Sequence, residues 1–200
     1  MNNFQPLYTA GFYHGEFSES ELVPVTNEIA HIQNNINSAV PNNNNLAGNI
    51  EREYVITPDC IMEQLYPHIV DYGIQMGSFE KDNIPKFKEN GTWVNFQKKY
   101  EFNPIHSHEG KFSFVIWIKV PFLMEDELSH NSVKHSNSPQ AGMFNFHYTD
   151  ILGNIKTSCL PIDKTMEKHF IIFPSKLSHS VNAFYTSDEY RISIAGNIIF

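Results

Sequence analysis

The sequence predicts an α+β protein in which helices brace an antiparallel β-sandwich or squashed barrel. In the first part of the chain, apolar residues recur at every third or fourth position, which is typical of amphipathic helices. In the second part they form short, strand-like runs separated by turn residues. Helices followed by a run of strands indicate this fold class. The 200 residues suffice for a single domain, 1–200, with a supporting part at 1–91 and a β core at 92–200.

Residues 1–18 suit an irregular arm or an edge strand. From about Ser20 to Ile36 the apolar spacing predicts an amphipathic helix, with Pro24 in its first turn. Its apolar stripe consists of Leu22, Val25, Ile29, Ile32 and Ile36. After Pro41, four consecutive asparagines predict a mobile surface loop, and 53–56 suits a short strand.

A second helix is predicted to begin at Thr57-Pro58-Asp59, with a hydroxyl cap and a proline at the first helical position. It should continue to about Met76 and stop at Gly77, with a kink at Pro67. The predicted buried stripe consists of Ile61, Leu65, Ile69 and Ile74. The charged segment 78–91 is predicted to be a connector.

The chain after Thr92 is predicted to be β structure, with a hairpin turn at 150–154 and a long polar loop at 125–140. That loop is long enough for a lid or a disordered segment. The predicted strands are Trp93–Tyr100, Lys111–Val120, Met143–Tyr148, Ile155–Leu160, His169–Phe173, His179–Phe184 and Tyr190–Ile199.

Composition narrows the classes of function. The formal net charge is −8 and the pI is near 5.6, which disfavours binding to duplex DNA or to an anionic membrane. Cys60 and Cys159 are too few and too far apart for a disulfide framework. With no recognisable signal peptide or membrane span, we expect a cytoplasmic protein, in the host-cell cytoplasm if it is viral.

Two histidines one residue apart precede the apolar run that starts at Lys111. In an extended backbone, His106 and His108 project to the same side, whereas Glu109 faces away. A third imidazole, His179, follows much later between two predicted strands. Imidazole ligands suit divalent transition metals, so the sequence predicts a metal site formed by His106, His108 and His179.

Arg191 lies among apolar residues on the last predicted strand. A buried guanidinium is costly unless it meets an anion, and its planar fork suits a carboxylate. Ser193 faces the same way and adds a hydroxyl donor. We therefore expect Arg191 and Ser193 to bind a carboxylate; the alternative is a structural salt bridge to an acidic side chain.

Together these motifs resemble the Fe(II)/2-oxoglutarate-dependent oxygenase superfamily, and most closely the 2-oxoglutarate oxygenases of marine phages (cyanophages) and bacteria. The resemblance covers about residues 92–200. It is carried by Trp93-Val94-Asn95, by Pro104-Ile105-His106-Ser107-His108, by Ser113-Phe114-Val115-Ile116-Trp117, by Phe173-Pro174 and by the run from Arg191 to Asn197.

The resemblance implies a double-stranded β-helix, a jelly-roll or cupin-like barrel, with the N-terminal helices packed on it. It implies Fe(II) held by His106, the residue at 108 and His179, and 2-oxoglutarate bound through its distal carboxylate by Arg191 and Ser193. Decarboxylation of 2-oxoglutarate to succinate would be coupled to oxidation of a substrate by dioxygen, with ascorbate as a candidate accessory. A peptide, a nucleobase or a small metabolite remains open as the substrate, and the acidic charge disfavours a long nucleic acid.

The second ligand position departs from the usual triad of two histidines and a carboxylate. Three possibilities stay open: three imidazoles bind the metal, Glu109 reaches it through a local bulge, or only His106 and His179 bind. Strand alternation favours His108 over Glu109. A site with three imidazoles carries one negative charge fewer and should hold Fe(II) less firmly.

Two other classes of protein compete with the oxygenase. A cupin would use the histidine pair and the stretch 174–179 as its two motifs, but it has no need for Arg191 and would carry a glutamate where Phe112 stands. A non-enzymatic β-sandwich, for instance on a phage particle, could hold a structural zinc ion. Such zinc sites usually have four ligands, often cysteines, and neither cysteine lies near these motifs.

Overall fold

The computed structural model describes residues 11–77 and 85–199, which form two antiparallel sheets and three α-helices. The predicted arm at 1–18 and the connector at 78–91 therefore lie partly outside the described residues. No helix in the described ranges is long and apolar enough to cross a membrane. The helices are α1 (Glu19–Asn34), α2 (Asp59–Gln75) and α3 (Met124–Ser129). The strands are β1 (Tyr13–Glu16), β2 (Arg52–Val55), β3 (Lys86–Gln97), β4 (Asn103–His106), β5 (Phe112–Lys119), β6 (Phe144–Thr149), β7 (Ile155–Leu160), β8 (His169–Pro174), β9 (Ser178–Val181) and β10 (Arg191–Ile199).

The larger sheet has the strand order β1-β8-β5-β10-β3-β2, and the smaller has the order β4-β9-β6-β7. Every neighbouring pair is antiparallel, which confirms the predominantly antiparallel β character predicted for the chain. The central strand β10 places Arg191 opposite Gln97 and Ser193 opposite Asn95 on β3. Asn95 is also paired along the other edge of β3, where it lies opposite Glu53 of β2. One face of this sheet thus carries a row of polar side chains.

Two apolar cores lie on opposite faces of the larger sheet. On one face, Phe114 and Ile116 of β5 pack in a cluster with the buried stripes of α1 and α2. On the other face, Val115 and Trp117 pack against the smaller sheet, where Phe144 is one of their neighbours. Because both faces of β5 are buried, its sequence from Phe114 to Ile118 is a continuous apolar run without alternation.

Helix α1 begins at a capping box, in which Ser18 and Glu21 each bond the other's backbone N–H. Helix α2 ends as predicted, with Met76 after its last residue and Gly77 at φ +60, but its start and its buried stripe differ from the prediction. Its first flanking residue is Pro58 and no side chain caps it, so the predicted Thr57 hydroxyl cap is wrong. Ile74 is 60% exposed, and Tyr72 is buried in its place at the end of the stripe.

Several strand boundaries move from their predicted positions. Strand β3 begins at Lys86 rather than Trp93, and β9 ends at Val181 because the chain leaves the sheet there. Strand β4 was not predicted, since it has only four residues and contains Pro104. The predicted loop at 125–140 overlaps helix α3, which was also missed.

Candidate metal centre

Three imidazoles meet between β4 and β9. His106 ends β4 and lies opposite His179 of β9 in the strand register, with ring centroids 4.2 Å apart. His108 comes two residues after β4 ends, and its ring lies 4.9 Å from that of His106 and 5.1 Å from that of His179. One nitrogen of each ring lies within 4.8 Å of those of the other two. Small side-chain shifts would let all three bind one ion at the usual distance of about 2 Å.

His108 thus lies beside His106 and His179, as the sequence predicts. The alternation of side chains along a strand does not by itself explain its position. Since β4 ends at His106, the sheet alone does not orient His108. Its backbone N–H donates to the carbonyl oxygen of Ser175 at 2.8 Å, which holds the loop beside the sheet. Glu109, the alternative ligand, is exposed.

A buried cluster of polar side chains lies next to this loop. The Ser113 hydroxyl lies 2.7 Å from Asn197 Oδ1 and 2.9 Å from the hydroxyl of Ser175. Gly110 adopts φ +121, and a Cβ there would meet the backbone oxygen of Ile198 at 2.9 Å. The turn after His108 thus requires a glycine.

Backbone carbonyls fix two of the rings. His106 Nδ1 lies 2.8 Å from the carbonyl oxygen of Pro104, and His179 Nδ1 lies 3.0 Å from that of Leu177. A proton on Nδ1 donates to the carbonyl and leaves Nε2 as a free lone pair for a metal.

Burial keeps all three imidazoles neutral at pH 7. It lowers the pKa of His106, lowers that of His108 to about 4 and lowers that of His179 to about 3. For His108 and His179, the nearby imidazole of His106 is a second cause in the same direction. Neutral imidazole is the form that binds metal, so the donor set suits a divalent transition metal, including Fe(II).

Arg191 is buried and held by neutral acceptors. Its Nε and Nη2 donate to Gln97 Oε1 at 3.2 and 2.7 Å, and Nη2 also donates to the carbonyl oxygen of Asn182 at 3.0 Å. Its Nη1 donates to the carbonyl oxygen of Gly142 at 2.6 Å. These contacts use four of the five N–H donors of a guanidinium and leave one on Nη1.

The predicted alternative for Arg191, a structural salt bridge, has no partner in the described part of the chain. None of the carboxylates there lies within ion-pair distance of its guanidinium. Burial lowers the pKa of Arg191 to about 10, and the negative charge of Glu127 acts in the opposite direction. The side chain is thus a buried cation at neutral pH, with a free donor for an anion.

A narrow cavity of about 50 Å³ brings these groups together. Its lining includes His106, His108 and His179 as well as Arg191 and Ser193. The remaining walls are largely apolar and include Trp117, Phe144 and Phe173. Every site residue predicted from the sequence therefore faces one space.

A second, wider cavity of about 430 Å³ forms the mouth of the site. It shares Trp93, Asn103, His106 and His108 with the narrow cavity. Its outer lining is polar and includes Asn42, Glu53, Lys88 and Glu109.

Sequence reasoning missed Glu53, Asn95 and Gln97, which all lie on the same face as the site. The signal for the last two was present, because Asn95 and Gln97 alternate with the buried Val94 and Phe96. Polar residues at every second position of a strand indicate one polar face, and here that face is turned inward. Nothing in the sequence pairs Glu53 with Asn95, since that contact depends on the strand register.

Comparisons with known proteins agree with the geometry. Residues 91–197, more than half of the chain, match the family model described as "Putative 2OG-Fe(II) oxygenase". No curated protein gives a significant match. The crystal structure of a prolyl-4-hydroxylase from Pseudomonas putida is similar, with a TM-score of 0.56 and 14% identity over 94% of this chain and 91% of that one. An oxidoreductase of the 2OG-Fe(II) oxygenase family from Burkholderia pseudomallei has a TM-score of 0.47 and 15% identity over 70% and 57% of the two chains.

Proposed function

We propose that this chain, which belongs to the 2OG-Fe(II) oxygenase family, binds Fe(II) through His106, His108 and His179 and binds 2-oxoglutarate through Arg191 and Ser193. The protein is an oxidoreductase that uses Fe(II), 2-oxoglutarate and dioxygen. The family match favours this activity over the cupin and the structural module. One observation carries the residue assignment: three neutral imidazoles and a buried arginine without an acidic partner line one cavity in the described structure.

The three imidazoles fit Fe(II) in ligand type and in protonation state. Since no carboxylate joins them in the described structure, the protein contributes no negative charge to the ion. The carboxylate of 2-oxoglutarate would then be the first anion in the site. We infer that metal binding and 2-oxoglutarate binding strengthen each other, because the positive metal ion attracts the negative carboxylates of 2-oxoglutarate.

The chain binds the distal carboxylate of 2-oxoglutarate at the far end of the narrow cavity. The free N–H of Arg191 and the hydroxyl of Ser193 donate to it, and Gln97 keeps the guanidinium in place. His106, His108 and His179 would hold Fe(II), which would supply the dioxygen chemistry that couples decarboxylation of 2-oxoglutarate to oxidation of the substrate.

Aromatic side chains exclude water around the ligands. The His179 ring stacks on Phe144 with centroids 5.5 Å apart and meets the edge of Phe173 at 4.9 Å. An apolar wall of this kind lowers the local dielectric and strengthens the attraction between the ligand carboxylate and Arg191.

The fold and the route of the substrate complete the proposal. The two sheets form a double-stranded β-helix, with residues 92–200 as its core and α1 and α2 packed outside. The substrate enters through the wide mouth beside His106 and His108 and is hydroxylated there. It is a peptide side chain, a nucleobase or a small metabolite, and the fold similarity to a prolyl-4-hydroxylase makes prolyl peptides the first class to test.

Calorimetric titration of 2-oxoglutarate into metal-loaded protein under anaerobic conditions tests the assignment. His179→Ala should weaken metal binding, and Arg191→Ala should retain the metal but lose 2-oxoglutarate affinity by about tenfold or more, since a charged hydrogen bond contributes roughly 1.5–3 kcal/mol. His147→Ala and Arg52→Ala are matched controls, because both side chains lie outside the two cavities. Unchanged 2-oxoglutarate affinity in Arg191→Ala would refute the assignment.

A further inference from the structure

Glu53 is a buried acidic side chain with amide partners, and burial raises the pKa of Glu53 to about 7, so the side chain is a carboxylate above that pH. It is 2% exposed, and no lysine, arginine or histidine in the described ranges pairs with it. Oε1 accepts from Asn42 Nδ2 at 2.7 Å. With the Asn95 amide oriented so that both of its ends find a partner, Oε2 accepts from Asn95 Nδ2 at 2.6 Å. The Asn95 side-chain oxygen in turn accepts from Trp93 Nε1 at 3.2 Å, which is the amide orientation that satisfies both neighbours. A buried carboxylate at the centre of such a chain fixes the direction of every hydrogen bond in it.

The chain of hydrogen bonds ends at Trp93, whose ring lies beside the metal centre. The Trp93 ring lies against His108, with ring centroids 5.4 Å apart. His106 and His179 each have a backbone carbonyl to orient the ring. In the described part of the chain, the ring of His108 is instead held by packing against its aromatic neighbours. The position of Trp93 therefore matters more for His108 than for the other two imidazoles.

At its other end, Glu53 holds the asparagine-rich segment, residues 42–47. The composition of this segment predicts a mobile surface loop, and in the structure two of its side chains are anchored by hydrogen bonds. Asn42 is 5% exposed and bonds Glu53, and Asn43 Nδ2 donates to the carbonyl oxygens of Ile50 and Glu51 at 2.9 and 3.2 Å. Leu46 and Ala47, at its end, line the mouth of the site.

We propose that Glu53 is a positioning residue that holds both Trp93 against the metal ligand His108 and the asparagine-rich segment at the mouth of the site. This inference rests on the proposed function, since it assigns the residue that orients one of the proposed ligands. Glu53 is not one of the three imidazole ligands and reaches them only through other side chains. It acts through Asn95 and Trp93 on one side and through Asn42 on the other.

The chemistry of the site explains why a carboxylate is needed at this position. Glu53 accepts from two amide N–H groups, one on each oxygen. In Glu53→Gln, an NH₂ group would replace one carboxylate oxygen and would face the NH₂ group of Asn42 or Asn95. One of those two amides would then have to rotate away. If Asn95 turns, the Trp93 indole N–H loses its acceptor and the ring is free to shift from His108.

Titration of the protein with Co(II), followed by the visible absorption of the bound ion, tests the proposal without needing a substrate. Glu53→Gln should weaken Co(II) binding by about tenfold and change the visible spectrum, as is typical when a group that orients a metal ligand is lost. Trp93→Phe keeps an aromatic ring beside His108 but removes the indole N–H, and it should reproduce the effect. The double variant should be no worse than either single variant, because both break one chain of contacts.

Glu51→Gln is the matched control. Glu51 lies two residues away, is exposed and pairs with Lys98 on the surface at 2.8 Å, so its variant should bind Co(II) like the unsubstituted protein. Glu53→Gln with a lowered melting temperature but an unchanged Co(II) affinity and spectrum would overturn the proposal and leave Glu53 with a structural role. If Glu53→Gln does not fold, unchanged Co(II) affinity and spectrum in Trp93→Phe would overturn it equally. Failure of the unsubstituted protein to bind Co(II) would instead refute the proposed function, and this inference with it.

Discussion

At the scale of single residues, the site depends on how His108 is placed after its strand has ended. The histidine spacing is visible in the sequence, and the three imidazoles that it points to lie together in the structure. The support for His108 comes from Ser175 and from the turn at Gly110, which the sequence does not connect with it. Residue types and spacings were therefore sufficient to find the candidate ligands, whereas the contacts that hold them depend on strand register.

Replacement of Gly110 by alanine should destabilise the protein and weaken metal binding. The backbone there has φ +121, and the new Cβ would lie 2.9 Å from the oxygen of Ile198. Strain of this kind costs on the order of 1–3 kcal/mol, which thermal melting would detect. In the control Gly11→Ala, the added Cβ meets no atom within 4 Å in the described part of the chain and the φ lies outside the left-handed region, so the melting temperature should stay near that of the unsubstituted protein. Equal stability of the two variants would contradict the strained turn.

At the scale of elements, long apolar runs were easy to recognise and short polar ones were not. Strand β5, predicted at Lys111–Val120, is buried over most of its length and spans Phe112–Lys119. Helix α3 was missed because its six residues are mostly polar, although it buries Glu127 completely. The Glu127 carboxylate accepts from the backbone N–H groups of Tyr185 and Thr186 at 2.8 Å and from the Thr186 hydroxyl. This helix thus anchors the chain between β9 and β10.

Glu127→Ala should detach that segment from α3. Three donors would lose their acceptor, and since a typical hydrogen bond contributes about 1 kcal/mol, we expect a loss of about 3 kcal/mol in unfolding free energy. Glu125→Ala, on an exposed position of the same helix, is the control and should change stability by less than about 0.5 kcal/mol. Chemical denaturation measures both. A comparable loss in the two variants would show that α3 itself, and not the Glu127 contacts, matters.

At the scale of the whole molecule, the two faces of the larger sheet have different roles. One face packs with α1 and α2 in an apolar core, and the other face carries Arg191, Ser193 and Asn95 toward the smaller sheet. The fold class followed from periodicity, since apolar patterning is a property of the sequence. The pairing of β2 with β3, which brings Glu53 to the site, is a long-range contact that no local pattern encodes.

Succinate formation from 2-oxoglutarate tests the central claim most directly. The purified protein, loaded anaerobically with Fe(II) and then given 2-oxoglutarate, ascorbate and air, should form succinate slowly even without its substrate. His179→Ala and Arg191→Ala should both abolish it, because one removes a proposed metal ligand and the other the proposed carboxylate partner. His147→Ala should form succinate at the unsubstituted rate. Succinate formation that persists in His179→Ala or Arg191→Ala, or its absence from the unsubstituted protein together with no effect of 2-oxoglutarate on the melting temperature, would contradict the account.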